Sequence, residues 1–166
     1  MSSSIRGMVW KFGDHISTDS IAPGFTLGGA WEEIRQHILH INPQFVQDVK
    51  PGDVIVAGRN WGCGSSREQA PANLKRLGIG CIVADSFARI FFRNAIAIGL
   101  PCVPCADISL AFEEGDELNV NLETASIENL TKNTWHQGEP YTPQMLHIID
   151  SGGLIPLLKK RMARQS

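Results

Sequence analysis

Three short apolar runs, at 54–57, 79–84 and 100–103, alternate with two stretches of helical periodicity, and this alternation constrains the fold more than any other feature of the chain. Runs this short and apolar throughout suit strands buried on both faces. Between them, residues from 66 or 67 to 77, closed by Gly78, read as one helix. Residues 87–98 read as another, with Phe87, Ile90, Phe91, Ile96 and Ile98 as its apolar side chains and Asp85 and Ser86 as its caps. Two strand–helix–strand units in succession imply a parallel sheet covered by helices, with right-handed crossovers. In such a sheet a ligand site lies at the carboxyl ends of the strands.

That end of the sheet receives Gly58-Arg59-Asn60-Trp61-Gly62-Cys63-Gly64-Ser65-Ser66-Arg67-Glu68-Gln69-Ala70-Pro71. Gly62 and Gly64 let the backbone curl tightly and come close to a ligand. Ser65 and Ser66 are each followed three positions later by Glu68 or Gln69, the spacing of a capping box, which predicts a helix start at Ser66 or Arg67. A helix start offers unpaired N–H groups and a partial positive charge, so with Arg67 beside it the loop suits an anion. The common nucleotide patterns are excluded: there is no G-x-G-x-x-G, no lysine in the Walker position and no G-x-S-x-G elbow.

The flanking segments are simpler. Residues 5–12 alternate as a strand, and 16–24 read as a loop in which Ser17, Thr18 and Asp19 serve local hydrogen bonds. Residues 31–41 carry Trp31, Ile34, Ile38 and Ile41 at helical spacing, with His37 and His40 at the edge of the polar face and no partner that would make them metal ligands. After Asp107, segments 115–122, 125–130 and 134–136 read as an antiparallel meander. Segments 142–150 and 154–164 read as helices broken at Gly152-Gly153, the second ending in a solvated basic face of Lys159, Lys160, Arg161 and Arg164. The 166 residues suit one domain. A charge of −2 gives no general attraction to nucleic acid or anionic membrane. No apolar run approaches the roughly 20 residues that span a bilayer, and no signal-peptide core follows residues 1–6, so a cytoplasmic chain is expected. Cys63, Cys81, Cys102 and Cys105 are too few for a disulfide scaffold. Cys102-Val103-Pro104-Cys105 lacks the second half of a zinc site and reads as structural, and Cys63 reads as a loop-packing residue.

Three motifs carry a resemblance: Thr18-Asp19-x-Ile21, then Asn60-Trp61-Gly62-Cys63 running into Gly64-Ser65-Ser66-Arg67-Glu68, then Asp85-Ser86-Phe87-Ala88-Arg89-Ile90-Phe91-Phe92-Arg93-Asn94. In that order they resemble the signatures of the swivelling domain of the aconitase superfamily. The chain's length resembles the small subunits of its 3-isopropylmalate dehydratase family. The resemblance runs from Gly7 to the final helix and is weakest at 25–45 and after 107. It implies an α/β fold of the swivelling-domain-like β/β/α type, a partly parallel sheet flanked by helices with additional antiparallel strands. It also implies a hydro-lyase acting on a small hydroxy-dicarboxylate, active only with a large subunit that carries a [4Fe–4S] cluster, with no cofactor or metal in this chain. The assembly would be a heterodimer or heterotetramer.

By motif position the resemblance makes Ser65 the catalytic base, with Asp19 ordering the site and Ser66 and Arg67 gripping a substrate carboxylate. Members that bind a third carboxylate resemble one another in carrying an arginine in the loop after Thr-Asp-x-Ile, whereas here that loop reads Pro23-Gly24-Phe25-Thr26-Leu27-Gly28-Gly29-Ala30. Phe25, Thr26 and Leu27 imply a pocket for an apolar substituent, favouring isopropylmalate or a methyl-substituted malate over citrate or homocitrate. The loop also lacks the tyrosine-leucine start common among isopropylmalate small subunits, so the choice among apolar substrates stays open. A related hydro-lyase subunit, homoaconitate included, and a non-catalytic anion-binding module are the alternatives. Balanced charge and the absence of an aromatic–basic platform disfavour RNA.

Overall fold

The computed structural model describes residues 4–165. β1 (Ser4–Lys11) is followed by a one-turn α1 (Thr18–Ile21), α2 (Trp31–His37) and α3 (Pro43–Asp48). Then β2 (Val54–Ala57), α4 (Gln69–Leu77), β3 (Cys81–Ala84), α5 (Arg89–Ala97) and β4 (Cys102–Pro104) form the two strand–helix–strand units. β5 (Glu117–Asn121), β6 (Ser126–Asn129) and β7 (Thr134–Gln137) make the meander, and α6 (Pro143–Asp150) and α7 (Leu154–Gln165) close the chain. All strands join one seven-stranded sheet in the order β4-β3-β2-β1-β5-β6-β7. β1 to β4 are mutually parallel, and from β1 onward through β5, β6 and β7 the pairing is antiparallel. The expected architecture is thus present, with β1 as the strand where the two halves meet.

Side-chain alternation explains why β2 and β3 are apolar at every position. Ile55, Ala57, Ile82 and Ala84 join a core with α3 and α4 on one face, while Val54, Val56, Cys81 and Val83 join a second core with β5, β6 and α6 on the other. Burial pushes the Cys81 thiol up to about 12 and the Cys102 thiol well above its ordinary value, so both stay protonated within these cores. Among the described residues, no helix is long and apolar enough to cross a membrane.

Several helix ends differ from their sequence expectation, each for a local reason. The predicted helix 31–41 stops at His37 because Leu39 turns back with φ 52°, is fully buried, and donates its N–H to Ser20 O at 2.9 Å. Ile41, expected on the buried face, is instead 53% exposed. A separate α3 then starts at Pro43, with Asn42 as N-cap accepting from the Gln44 amide. The helix expected from Ser66 or Arg67 starts at Gln69, and neither serine caps it: its N-cap position is Glu68, without a side-chain cap bond. Pro71 sets that limit. In a helix begun at Arg67, its ring would strike the Arg67 carbonyl, whereas in the first turn it is harmless. Asp85 and Ser86 do not cap α5 either. Asp85 instead accepts from the Ser109 N–H and Oγ, each at 2.8 Å, and Ser86 Oγ accepts from the Asn60 amide at 2.9 Å.

Candidate active site

The glycine loop leaves β2 as the middle of three strips that continue the sheet beyond its strands. On one side, Gly62 N–H donates to Ile16 O at 2.7 Å and Thr18 N–H to Cys63 O at 2.8 Å. On the other, Trp61 N–H donates to Ser86 O and Ala88 N–H to Trp61 O. The three motifs therefore lie side by side across the carboxyl ends of β1, β2 and β3. Gly62, at φ 81°, is the tightest point: a Cβ there would lie 2.3 Å from the Phe91 ring, so only glycine lets the loop pass over α5.

Beyond Gly62 the loop turns its polar groups outward. Ser65 and Ser66 are exposed and Arg67 is half-buried. The 16–24 segment, expected as a loop, is pinned by α1, whose N-cap Ser17 accepts from the Ser20 amide. This one turn brings Thr18 and Asp19 against the glycine loop. Thr18 Oγ1 accepts from the Ser65 amide at 3.1 Å and lies 3.0 Å from Ser65 Oγ. Asp19 Oδ1 accepts from Arg67 Nη1 at 2.8 Å and from the Gly24 amide at 3.3 Å. The Arg67 guanidinium, with the Gly24 amide, holds the Asp19 carboxyl below the usual carboxylate range, so it stays charged at neutral pH.

Arg67 Nη1 also donates to Ala22 O at 3.1 Å, which uses both of its protons. Nε and Nη2 find no acceptor among the described residues and form a parallel pair of donors, the fork that binds a carboxylate in bidentate fashion. The amides of Ser66, Arg67 and Glu68 find no acceptor among the described residues and stand at the entrance to α4. Three open amides and a guanidinium fork thus follow Ser65 within three residues of the chain.

The structure brings Asp19, Ser65, Ser66 and Arg67 together. Leu27 is 44% exposed, and Phe25 projects beside it, edge-on to His37 at 4.9 Å between ring centres. Thr26 is buried, its hydroxyl donating to Pro23 O at 2.6 Å, so it shapes the loop while Phe25 and Leu27 form its surface. Sequence reasoning passed over two contributors. Thr18 was visible only as half of the Thr-Asp pair. Gly24 matters because a Cβ there would lie 3.3 Å from Arg67 Nη2. Among the described residues no group of three or more His, Cys, Asp or Glu side chains could hold a metal ion.

Comparison with known proteins agrees with the fold. Residues 33–106 match the family model of the aconitase C-terminal domain. The isopropylmalate/citramalate isomerase small subunit of Methanocaldococcus jannaschii is 51% identical over 165 residues, 98% of each chain. The methanogen homoaconitase small subunit of Methanothermobacter thermautotrophicus is 46% identical, over 93% of this chain and 91% of its own. The crystal structure of 3-isopropylmalate dehydratase from Methanocaldococcus jannaschii superposes with a TM-score of 0.90 at 41% identity, covering 98% of this chain and 97% of that one.

Proposed function

Because the chain belongs to the 3-isopropylmalate dehydratase small-subunit family of the aconitase superfamily, we propose that it is the small subunit of a heteromeric hydro-lyase interconverting 2- and 3-isopropylmalate, a step of leucine biosynthesis in the cytoplasm. One observation carries the reading: Ser65, an exposed residue, stands beside an oriented guanidinium fork and amides that find no acceptor among the described residues. This is half of a site. A large subunit supplies the other half, and the [4Fe–4S] cluster expected there would act as the Lewis acid on the departing hydroxyl.

Within this chain, Arg67 and Ser66 hold a substrate carboxylate against the open amides. Asp19 and Ala22 O keep the guanidinium turned so that Nε and Nη2 face it. Ser65 Oγ, as the oxyanion, takes the carbon-bound proton, and the C–H electron pair becomes the new double bond. Leu27, on the loop that Thr26 holds in shape, presents an apolar surface to the alkyl substituent. Docking of the large subunit dries the loop, which strengthens each of these interactions.

The test is reconstitution with an iron–sulfur large subunit of the family. The chain alone should be inactive, and Ser65→Ala should lower kcat by about 10²- to 10⁴-fold, the range for loss of a general base, while assembly persists. A Ser65→Ala enzyme turning over at near-normal rate removes Ser65 from the role of base. The homoaconitase relative favours a second reading, a substrate with a third carboxylate. The ratio of kcat/KM for 3-isopropylmalate and homocitrate separates the two, and the arginine-free loop at 23–30 predicts a preference for the former.

A further inference from the structure

We propose that Thr18 is a positioning residue for this reaction, its buried hydroxyl donating to Ser65 Oγ and stabilising the oxyanion there. The inference rests on Ser65 acting as the base. A threonine hydroxyl has one proton and two lone pairs. One lone pair of Thr18 Oγ1 receives the Ser65 amide at 3.1 Å, and the only other polar partner of that oxygen among the described residues is Ser65 Oγ, at 3.0 Å. Thr18 is 2% exposed, so little water competes for its proton. While Ser65 is neutral the bond can run in either direction. Once Ser65 Oγ is deprotonated it can only accept, and the Thr18 proton has one place to go.

Three features suit Thr18 to this. Its hydroxyl is polarised by the N–H it receives, which strengthens the bond it gives. It is fixed in place, since its own amide donates to Cys63 O at 2.8 Å and Ser17 caps the turn that carries it. The bond also strengthens when charge develops, and a donor of that kind lowers the barrier rather than merely tightening binding. The need for it follows from where α4 begins. Its first residue is Gln69, four positions past Ser65, and the field of a helix terminus fades within about one turn. The proton balance is simple: it passes from substrate carbon to Ser65 Oγ, hydroxide leaves the neighbouring carbon, and Thr18 keeps its own proton throughout.

The experiment uses the reconstituted enzyme with 3-isopropylmalate. Thr18→Val should lower kcat by about 10- to 100-fold near pH 7, the worth of a hydrogen bond to a charged group, with KM changed by no more than about threefold. Without its donor the oxyanion forms only at higher pH, so the deficit should shrink as pH rises. A hydroxyl that served only to shape the loop would give a loss independent of pH. Thr18→Ser should stay within about threefold of the parent, and in a Ser65→Ala background Thr18→Val should cost little more. Thr18→Cys, with its weak thiol donor, carries the same pH comparison if the valine variant does not assemble. A pH-independent loss, a Thr18→Val rate within about twofold of the parent, or a full additional loss in the Ser65→Ala background overturns the inference. If Ser65→Ala is inactive while Thr18→Val is normal, Thr18 alone is misassigned. If Ser65→Ala is active, the base assignment has failed first.

Discussion

The two halves of the sheet handle polar side chains in opposite ways. Beside the glycine loop of the parallel half, polar groups are tethered on one side and left open on the other: Arg67 is held through Nη1 while its Nε and Nη2 find no acceptor among the described residues, and Ser65, an exposed residue, is held by Thr18 Oγ1 through its amide and hydroxyl. In the antiparallel half they close on one another. Asn129, fully buried, donates to Ala111 O and Asp116 Oδ2 at 2.9 Å each and accepts from the Lys132 amide, while Asp116 Oδ2 also accepts from the Glu113 amide. Tethered-but-open groups suit chemistry and closed ones suit stability, so substitutions in the two halves should fail in different measurements.

The largest separation is expected at Asn129. Asn129→Ala leaves Ala111 O and Asp116 short of a buried donor, and at about 1–3 kcal/mol for each group the loss should be about 2–6 kcal/mol in urea unfolding. Turnover per folded molecule should not change; a collapse of turnover with stability intact would break the contrast. Arg67→Lys should do the converse. Losing the bidentate fork should lower kcat/KM by about 10- to 100-fold, whereas the Asp19 pair it disturbs is exposed and solvent-screened, so stability should hardly change.

Acid tests the closed half more mildly. Burial pushes the Asp116 carboxyl up, but the hydrogen bonds from the Glu113 amide and Asn129 and the Lys132 charge outweigh it and leave it below its ordinary value. A depressed carboxylate contributes stability that is present above its unfolded pKa of about 3.9 and is lost as pH falls through the lower folded value. Stability measured down a pH series should therefore drop below about pH 4. In Asp116→Asn that part of the drop should be missing.

Much of this contrast was legible in the sequence. Continuous apolar runs marked the doubly buried strands, and the strict alternation at 115–122 marked the meander, because burial on two faces and on one leave different periods. Residue pairs across the site were not. The serines at 65 and 66 satisfy capping statistics, yet the neighbouring segment claims the loop, and Pro71 alone forbids the earlier helix start. Asp85 and Ser86 likewise read as local caps but bond to Ser109 and Asn60, 24 and 26 positions away in the chain. Short-range propensity cannot register such partners. The Asn42-Pro43 start of α3 was local and readable, an N-cap followed by proline at the first helical position, but the apolar spacing through Ile41 masked it.

The smallest effect should be found at Gly24, where stability and function ought to move in opposite directions. Gly24 does not have a left-handed φ, so alanine fits its backbone and should raise stability by about 0.4–1 kcal/mol by restricting the unfolded chain. The new methyl group would meet Arg67 Nη2 at 3.3 Å, tighter than ordinary contact, so the guanidinium that Asp19 and Ala22 O hold through Nη1 would have to give way slightly. A shift of a few tenths of an ångström in the fork should raise KM by roughly threefold to fivefold, about 1 kcal/mol of binding, with kcat less affected. Thermal melting and steady-state kinetics on the same preparation test this directly. If KM is unchanged while Tm rises, Nη2 is not a carboxylate donor, and the fork must act through Nε and the loop amides instead.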